Sequence, residues 1–360
     1  MRRPHVFVTL VTLAAAGCAD PVTAPRHRPI DATSAIGVAV APVNVPGTAL
    51  RTLTIDGQQR EFYVHVGRNA PSNAPVPVVF FFHGSGSNGF EHLQKSRWRE
   101  KADTIGFIAI FPSALAYCFK EDGNGDGDML DRGELHASAK WTSGPLGGPT
   151  RPLCKPADYL KLTPNQRLAT LHRFQDDTAF VDAMLADVKA TNVVDTKRLY
   201  LAGFSNGAEM VSRLLVERSY TFAAVAMHAG TLDVPVAPFT TRRVPILKSM
   251  GNINDNVPRG MPGHTLPIIP STIELPFMQA DYVVKYLRQE LLANQYTYGL
   301  MNWNGRKVGR WVYNNGLFGN SNLFVFLLIE KNGHAYPNGV NHVVTMADRA
   351  WPFLAAHTMP

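Results

Sequence analysis

The segment from Leu199 to Met210, LYLAGFSNGAEM, places a serine between two glycines. Ser205 is the centre of a G-x-S-x-G pattern, after an apolar run that predicts a β-strand and before a run that predicts a helix. Such a strand–turn–helix can hold a serine hydroxyl above the edge of a sheet, where the hydroxyl acts as a nucleophile in acyl transfer. The alternative is that Ser205 only caps the following helix. The small residues Gly203 and Gly207 favour the nucleophile, because they allow a strained backbone and the close approach of a substrate.

A serine nucleophile requires a base, and donors for the negative charge that develops on the substrate oxygen. His334 is the candidate base among twelve histidines, because it follows the last predicted strand and so fits the chain order serine, acid, histidine. The N–H of Asn206, at the positive end of the helix after the nucleophile, is one candidate oxyanion donor. The loop HGSGSNG supplies the second, with the N–H of Ser85 preferred and that of Gly86 next.

Predicted strands that alternate with helices must position these residues. The apolar runs in VPVVFFFHGSGSNG, GFIAIFPSA and NLFVFLLIEKNGH are typical of strands buried on both faces, and DDTAFVDAMLADVKA has helical spacing. This alternation predicts an α/β fold with a mostly parallel central sheet, helices on both faces and ligands at the carboxyl ends of the strands. Two alternating runs around Asp56-Gly57 predict a β-hairpin before that sheet.

The block DDTAFVDAMLADVKATNVVDTKRLYLAGFSNGAEMVSRLLVERSYTFAAVAMHAG, with HGSGSNG upstream and NGHAYPNG downstream, carries a family resemblance. It resembles the polyhydroxybutyrate depolymerase and feruloyl or acetylxylan esterase group of the α/β-hydrolases, over about residues 50 to 357. In that resemblance Ser205 matches the nucleophile, His334 the histidine of the GHxxP motif and Ser85 the oxyanion residue. The resemblance implies the α/β-hydrolase fold and hydrolysis of a short-chain polyester, a feruloylated or acetylated polysaccharide, or a related oligomer.

The acid of the triad departs from the family pattern. The group has G-x-x-D-x-x-V-P after the next-to-last strand, whereas this chain has MGNINDNVP, with Asn254 in the place of the acid and Asp255 next to it. An amide does not stabilise an imidazolium as a carboxylate does, and the same replacement in a serine protease lowers turnover about 10⁴-fold. We expect a one-residue bulge to bring Asp255 into position, and Asp233 is the alternative acid. The rival functions are a catalytically impaired surface binding protein and a peptidase of the same fold.

The loop-rich section at about residues 113–174 is predicted as an insertion at the active-site edge. Its stretch DGNGDGDMLDRGE places oxygen-bearing side chains at alternate positions around Gly127, as in a calcium loop, although its glutamate is one residue later than in an EF-hand. The alternative is a solvated acidic loop. The candidate calcium ligands are Asp122, Asn124, Asp126, Asp128 and Glu134.

Three aromatic side chains near the predicted site are candidates for lining the substrate groove, because aromatic rings pack well against sugar and aryl faces. Aromatic residues serve as core equally often, and for Phe204 we favour packing. The three candidates are Trp141, Tyr336 and Phe204.

The N-terminus MRRPHVFVTLVTLAAAGC reads as an export signal, since two arginines precede a short apolar run and small residues follow it. Its AAGC ending resembles a bacterial lipoprotein signal with Cys18 as the lipidated residue, and the alternative is plain secretion. We therefore predict a signal peptide at residues 1–17, a flexible tether at 18–48 and a catalytic α/β-hydrolase domain at 49–360. In an oxidising compartment Cys118 and Cys154 are expected to form a disulfide, with two buried free thiols as the alternative.

Composition narrows the range of partners. The 45% hydrophobic content is that of a globular protein, and the net charge of +7 is spread along the chain without a block of like charges. This distribution argues against nucleic-acid binding. The expected partners are an ester substrate and, through the lipid anchor alone, a membrane. A monomer is expected, catalysis requires no cofactor, and any calcium is expected to be structural.

Overall fold

The computed structural model describes residues 45–122, 134–230, 242–253, 296–314 and 323–360. The strands within these residues are β1 (Thr48–Ile55), β2 (Gln58–Val66), β3 (Val76–Phe82), β4 (Ile108–Pro112), β5 (Ala116–Lys120), β6 (Leu135–Ala139), β7 (Val194–Phe204), β8 (Ala224–His228), β9 (Ile246–Gly251), β10 (Thr297–Trp303), β11 (Arg306–Tyr313) and β12 (Phe324–Ile329). The helices are α1 (Gly89–Lys95), α2 (Trp98–Ile105), α3 (Pro156–Tyr159), α4 (Pro164–Ala169), α5 (Asp177–Thr191), α6 (Asn206–Glu217) and α7 (Met346–Ala355).

The central sheet has the strand order β1-β2-β4-β3-β7-β8-β9-β12-β11-β10. The six adjacent strands β4, β3, β7, β8, β9 and β12 are parallel, whereas the strands at both edges pair antiparallel. Every residue of β3 and β12 is buried, as expected for parallel strands covered on both faces. The predicted α/β fold with a mostly parallel sheet is confirmed.

Adjacent residues of β2 show that helices cover both faces of the sheet. The ring of Phe62 contacts Phe180 of α5 at a centroid distance of 6.1 Å, whereas the ring of Tyr63 contacts Phe90 of α1 at 5.6 Å. Successive side chains of a strand point to opposite faces, so α5 and α1 lie on opposite sides of the sheet. The central sheet, whose carboxyl edge is the predicted site, is therefore covered by helices on both faces.

Two antiparallel hairpins form at the edges of the sheet. The first, β1–β2, turns at Asp56 and Gly57, which have φ values of 48° and 80°, so the predicted hairpin is confirmed. The second, β10–β11, turns at Asn304 and Gly305 with φ values of 52° and 80°, and this hairpin was not predicted from the sequence. An Asn-Gly pair between alternating runs is the local signal for this turn type.

The insertion at residues 113–174 contains regular structure as well as loops. Strands β5 and β6 pair antiparallel, and a disulfide joins Cys118 of β5 to Cys154, with the two Cα atoms 5.3 Å apart. The predicted disulfide is therefore confirmed, and the alternative of two free thiols is wrong. The hairpin leads from β6 directly to Trp141, which contacts the central sheet at Phe82.

The predicted signal peptide, Cys18 and most of the tether lie outside the described residues. Across the ranges that the structure does describe, no helix combines the length and apolar character needed to cross a bilayer.

Candidate active site

Ser205 lies on a sharp turn between β7 and α6, as the G-x-S-x-G pattern predicts. Its backbone has φ 52° and ψ −124°, a region that is strained for a residue with a β-carbon. Hydrogen bonds on both sides hold this conformation: the Ser205 N–H donates to the carbonyl of His228 (2.9 Å), and the Ser205 carbonyl accepts from the N–H of Ala208 (2.8 Å). The strain is thus imposed by the neighbouring strand and by the first turn of α6.

The two glycines of the motif are required by close packing around the turn. A β-carbon at Gly203 would lie 2.5 Å from the carbonyl oxygen of Gly207, and one at Gly207 would lie 2.1 Å from the carbonyl oxygen of Phe82. Any side chain at either position would therefore displace the turn. The motif brings α6 close to the ends of β3 and β7, which places Ser205 at the carboxyl edge of the parallel strands.

The loop after β12 brings His334 to Ser205. His334 Nε2 lies 2.9 Å from Ser205 Oγ, within hydrogen-bond distance. With Nε2 as the acceptor, the Ser205 hydroxyl donates its proton toward the imidazole, which is the arrangement required of a general base. His334 is exposed and Ser205 is half-buried, so a substrate in solvent can reach both. The two residues singled out from the sequence are brought together across 129 positions of the chain.

A second, buried histidine supports the loop that carries the base. His228 Nε2 lies 3.0 Å from the carbonyl oxygen of Ala335 and His228 Nδ1 lies 2.8 Å from Ser249 Oγ. The amide nitrogen of Asn332 also lies 3.2 Å from His228 Nε2, and the Ser249 hydroxyl donates to the carbonyl oxygen of Met227 at 3.2 Å. The Asn332 amide also donates to the carbonyl oxygens of Gly333 and Ala335, at 3.0 and 3.1 Å. These side chains tie the loop to β8 and β9.

His228, Ser249 and Asn332 were not predicted from the sequence. The available signal was position: His228 ends a predicted buried strand at the carboxyl edge, where polar side chains face the site. Nothing local in the sequence relates His228 to a loop about a hundred residues further on.

The loop after β3 lies against the nucleophile on the other side. A β-carbon at Gly84 would lie 3.2 Å from Ser205 Cβ. The N–H of Gly86 donates to the carbonyl oxygen of Ala139 at 2.8 Å, so it is already used. Among the described residues no partner is found for the N–H of Ser85, and the N–H of Asn206 belongs to the first turn of α6, where amides have no partner within the helix. The geometry favours Ser85 over Gly86 as the second oxyanion donor.

Buried imidazoles pack beneath this loop. Burial lowers the pKa of His83 to about 4 and that of His92 to about 3. His83 Nδ1 lies 2.7 Å from the carbonyl oxygen of Gly84, and His83 Nε2 accepts from the N–H of Ala114 at 3.0 Å. His83 is therefore a neutral imidazole that donates at Nδ1 and joins the oxyanion loop to the end of β4.

The strand order and the turn at Ser205 together define the architecture. Antiparallel first strands, a parallel centre in which β4 and β3 exchange their sequence order, and a nucleophile turn at the end of β7 are the features of one fold. The chain has the α/β-hydrolase fold.

Comparisons with known proteins agree with this assignment. No family model matches the chain. Over 254 residues it is 28% identical to the protein named "Putative esterase NocK" of Nocardia uniformis subsp. tsuyamanensis, and the alignment covers 68% of this chain and 62% of that protein. The chain thus spans less than two thirds of the length of that relative. This similarity supports the resemblance at the level of an esterase group of the α/β-hydrolase superfamily.

Two solved structures are also similar over most of the chain. The acetyl xylan esterase from Aspergillus awamori is 14% identical, with a TM-score of 0.49 and coverage of 85% of this chain and 99% of that one. The S-formylglutathione hydrolase from Agrobacterium tumefaciens is 14% identical, with a TM-score of 0.46 and coverage of 88% and 98%.

The aromatic candidates have different positions within this hydrolase fold. Trp141 has no exposed surface and its indole N–H donates to the carbonyl oxygen of His83 at 2.9 Å, so the prediction that it lines the substrate groove is wrong. Tyr336 is also buried, and its hydroxyl accepts from the indole N–H of Trp98 at 2.9 Å. Burial raises the pKa of the Tyr336 hydroxyl. Phe204 is half-exposed beside the His334 ring (5.2 Å between centroids) and stays a candidate substrate contact.

The candidates for the acid lie outside the described residues: Asp255, Asn254 and Asp233. The chain that leads to two of them is described as far as Ile253, whose N–H donates to the carbonyl oxygen of Asn332 at 3.0 Å. Asn332 is two residues before His334, so the described residues after β9, 252–253, run beside the loop that carries His334. The identity of the acid stays a prediction.

The predicted calcium loop is described only at its two ends, Asp122 and Glu134. Asn124, Asp126 and Asp128 lie outside the described residues. Elsewhere in the part of the chain that the structure describes, no group of three or more histidine, cysteine or acidic side chains is arranged to hold a metal ion. Calcium binding stays a prediction.

Proposed function

We propose that the chain is an exported serine esterase that hydrolyses carboxylic esters through an acyl-Ser205 intermediate. The observation that carries this proposal is the 2.9 Å distance between Ser205 Oγ and His334 Nε2 at a strained turn at the sheet edge. The similarity to NocK, a protein named as an esterase, supports it. The disulfide supports export, because such bonds persist in oxidising compartments.

The proposed reaction uses this geometry in two halves. Ser205 Oγ attacks the ester carbonyl carbon while its proton passes to His334 Nε2, and the resulting oxyanion accepts hydrogen bonds from the N–H groups of Ser85 and Asn206. Collapse of this intermediate breaks the bond to the alcohol oxygen, which takes the proton from His334. Water then attacks the acyl group, gives its proton to His334 and releases the carboxylic acid, after which the proton returns to Ser205 Oγ.

The remaining parts of the proposal come from the sequence. Asp255 is proposed to orient His334, with Asn254 and Asp233 as the alternatives. The proposed substrates are oligomers of short-chain hydroxyalkanoates or feruloyl and acetyl esters of polysaccharides. We also propose a monomer that is either lipid-anchored through Cys18 or secreted, with no cofactor for catalysis and with any calcium in a structural role.

Hydrolysis of p-nitrophenyl acetate and butyrate tests the activity, and labelling by a fluorophosphonate tests the nucleophile. We expect the wild-type chain to cleave both esters and to be labelled, and Ser205→Ala to lose both properties. A panel of hydroxybutyrate oligomers, methyl ferulate and acetylated xylan then ranks the substrates. A wild-type chain that folds but shows neither turnover nor labelling would favour the surface binding protein, and cleavage of anilides as fast as esters would favour the peptidase.

A further inference from the structure

The side chain of Asn206, the residue after the nucleophile, is buried and bonded on both sides. Its Oδ1 accepts the backbone N–H of Trp141 at 2.6 Å. Its Nδ2 donates to Glu209 Oε2 at 2.9 Å and to Ser143 Oγ at 3.2 Å. The carboxamide therefore joins α6 to the insertion directly behind the backbone N–H that is proposed to bind the oxyanion.

Glu209 is the acceptor that holds the carboxamide in this orientation. Only 9% of it is exposed, and its Oε2 also accepts from Ser143 Oγ at 3.1 Å and from Arg151 Nη1 at 3.4 Å. A buried carboxylate requires such partners, because its desolvation is otherwise costly. Glu209 lies one turn after Asn206 on α6 and has no contact of its own with Ser205 Oγ or His334 among the described hydrogen bonds.

Residues 139–143 of the insertion also bond to the loop after β3, which carries Ser85, the other proposed oxyanion donor. The carbonyl oxygen of Ala139 accepts the N–H of Gly86 at 2.8 Å, and the indole N–H of Trp141 donates to the carbonyl oxygen of His83 at 2.9 Å. These two bonds lie on either side of Ser85 along the chain. One segment, residues 139–143, is thus bonded to both backbone stretches that carry the oxyanion donors.

We propose that Asn206 and Glu209 are positioning residues that set the spacing between the two oxyanion donors, with residues 139–143 as the bridge. We call Asn206, Glu209 and residues 139–143 the clamp. The proposal rests on the proposed esterase function and adds to it the residues that hold the oxyanion site in place. Donors stabilise a tetrahedral oxyanion only within about 2.7–3.1 Å, so small shifts of either N–H lower turnover.

The hydrogen bonds of the clamp predict which substitutions in it should lower activity most. Asn206→Ala removes both the acceptor for Trp141 and the donor to Glu209. Asn206→Asp keeps the acceptor but places two carboxylates against each other, which is unfavourable in a buried site. Glu209→Ala removes the acceptor, whereas Glu209→Gln retains an oxygen that accepts from Asn206 Nδ2. Glu209→Gln should therefore be the mildest of the four.

The test measures kcat and KM on p-nitrophenyl butyrate with the full chain. We expect Asn206→Ala, Asn206→Asp and Glu209→Ala to lower kcat about 10- to 100-fold with KM changed less than about threefold, because the loss lies in the transition state. Glu209→Gln should keep most of the wild-type kcat. The inhibition constant of butylboronic acid, which adds to Ser205 Oγ as a tetrahedral adduct, should rise in proportion to the loss of kcat/KM.

Gln175→Ala is the matched control, since Gln175 is another buried amide that bridges distant segments. Its Nε2 donates to the carbonyl oxygen of Ile55 at 2.5 Å and its Oε1 lies 3.5 Å from Arg60 Nη1. We expect Gln175→Ala to lower the melting temperature while kcat stays at the wild-type value. An equal fall of kcat in this control and in Glu209→Ala would show general loosening and would overturn the positioning role.

The outcomes separate this inference from the function on which it rests. If the wild-type chain cleaves esters and is labelled by a fluorophosphonate, but the Asn206 and Glu209 variants keep its kcat, the clamp is wrong and the esterase stands. If the wild-type chain neither cleaves nor is labelled, both proposals fall. If Asn206→Ala does not fold, Glu209→Gln and Glu209→Ala still decide the question by the difference between them.

Discussion

The two sides of Ser205 are held by different parts of the molecule. On the base side, the loop of His334 is bonded to His228 and Ser249, which belong to strands of the central sheet. On the oxyanion side, the supporting segment belongs to the insertion, which the Cys118–Cys154 disulfide fastens. The proposed base is therefore supported by the sheet itself, whereas the proposed oxyanion site depends on the insertion. We expect damage to the supports of His334 to lower global stability and activity together, and damage to the insertion to loosen the insertion and lower activity before the sheet unfolds.

The largest expected effect is on the base. His334→Ala removes the proton acceptor, so kcat on p-nitrophenyl butyrate should fall about 10⁴- to 10⁶-fold. Because the side chain is exposed, the melting temperature should stay near that of the wild type. His357→Ala, a histidine change outside the site, is the control and should keep full activity. Retention of more than a tenth of the wild-type rate by His334→Ala would rule out His334 as the base.

A smaller effect is expected for the support of that base. His228→Leu removes the contacts of the imidazole with Ser249 and with the Ala335 carbonyl, which retain hydrogen bonds with Met227 and Asn332. The loss of the two bonds should lower the free energy of unfolding by about 1–3 kcal/mol. The loop of His334 should also shift, with a fall in kcat of about 10- to 100-fold. Urea unfolding and steady-state kinetics measure the two losses on the same sample. A loss of kcat with unchanged unfolding would break the predicted link between stability and activity on this side.

The disulfide should have a weaker effect on turnover at room temperature. Replacing both cysteines, Cys118→Ser with Cys154→Ser, frees a loop of 36 positions, for which loop entropy predicts a loss of about 3–4 kcal/mol. Local opening of the insertion should lower kcat about three- to tenfold at 25 °C. Heating should abolish activity at a lower temperature than it abolishes the far-ultraviolet circular dichroism of the sheet. Coincidence of the two temperatures would show that the insertion is not a separate unit of stability.

The smallest expected effect is a pH dependence of stability that arises from His83, on the oxyanion side of Ser205. The pKa of His83 is lowered to about 4 by burial, against about 6.5 in an unfolded chain. The unfolded state therefore binds a proton that the folded state does not, and stability falls as pH drops from about 6.5 toward 4. The urea midpoint should decrease between pH 7 and pH 5, and should decrease less in His83→Gln. An equal decrease in both proteins would show that another group is responsible.

Most of the fold follows from local patterns. The runs in β3, β4 and β12 and the second half of β7 (Leu199–Phe204) are apolar throughout, and that composition is explained by burial on both faces of a parallel sheet. The turn at Ser205 and the place of His334 follow from the same logic, since a motif and a strand order bring them to one edge. The hairpin at Asn304-Gly305 was missed although its signal is local.

The supports of the site could not be predicted in the same way. The contact of Asn206 with Trp141 joins residues 65 positions apart, and that of His228 with Ala335 joins residues 107 apart. Neither contact leaves a periodic pattern in the sequence, because it depends on where the loops meet after folding. Trp141 was misassigned for a related reason: composition does not tell whether an aromatic ring near a site faces the substrate or the core.

The positive φ of Ser205 has a consequence for how long the protein lasts. Holding a β-carbon at φ 52° and ψ −124° costs about 1–3 kcal/mol, and glycine would escape that cost. We therefore expect Ser205→Gly to melt at a higher temperature than the wild type in calorimetry, while Ser205→Ala does not, since alanine keeps the β-carbon. The inactive Ser205→Gly chain would then be more heat-stable than the wild type, because the backbone conformation that presents the serine hydroxyl is itself destabilising.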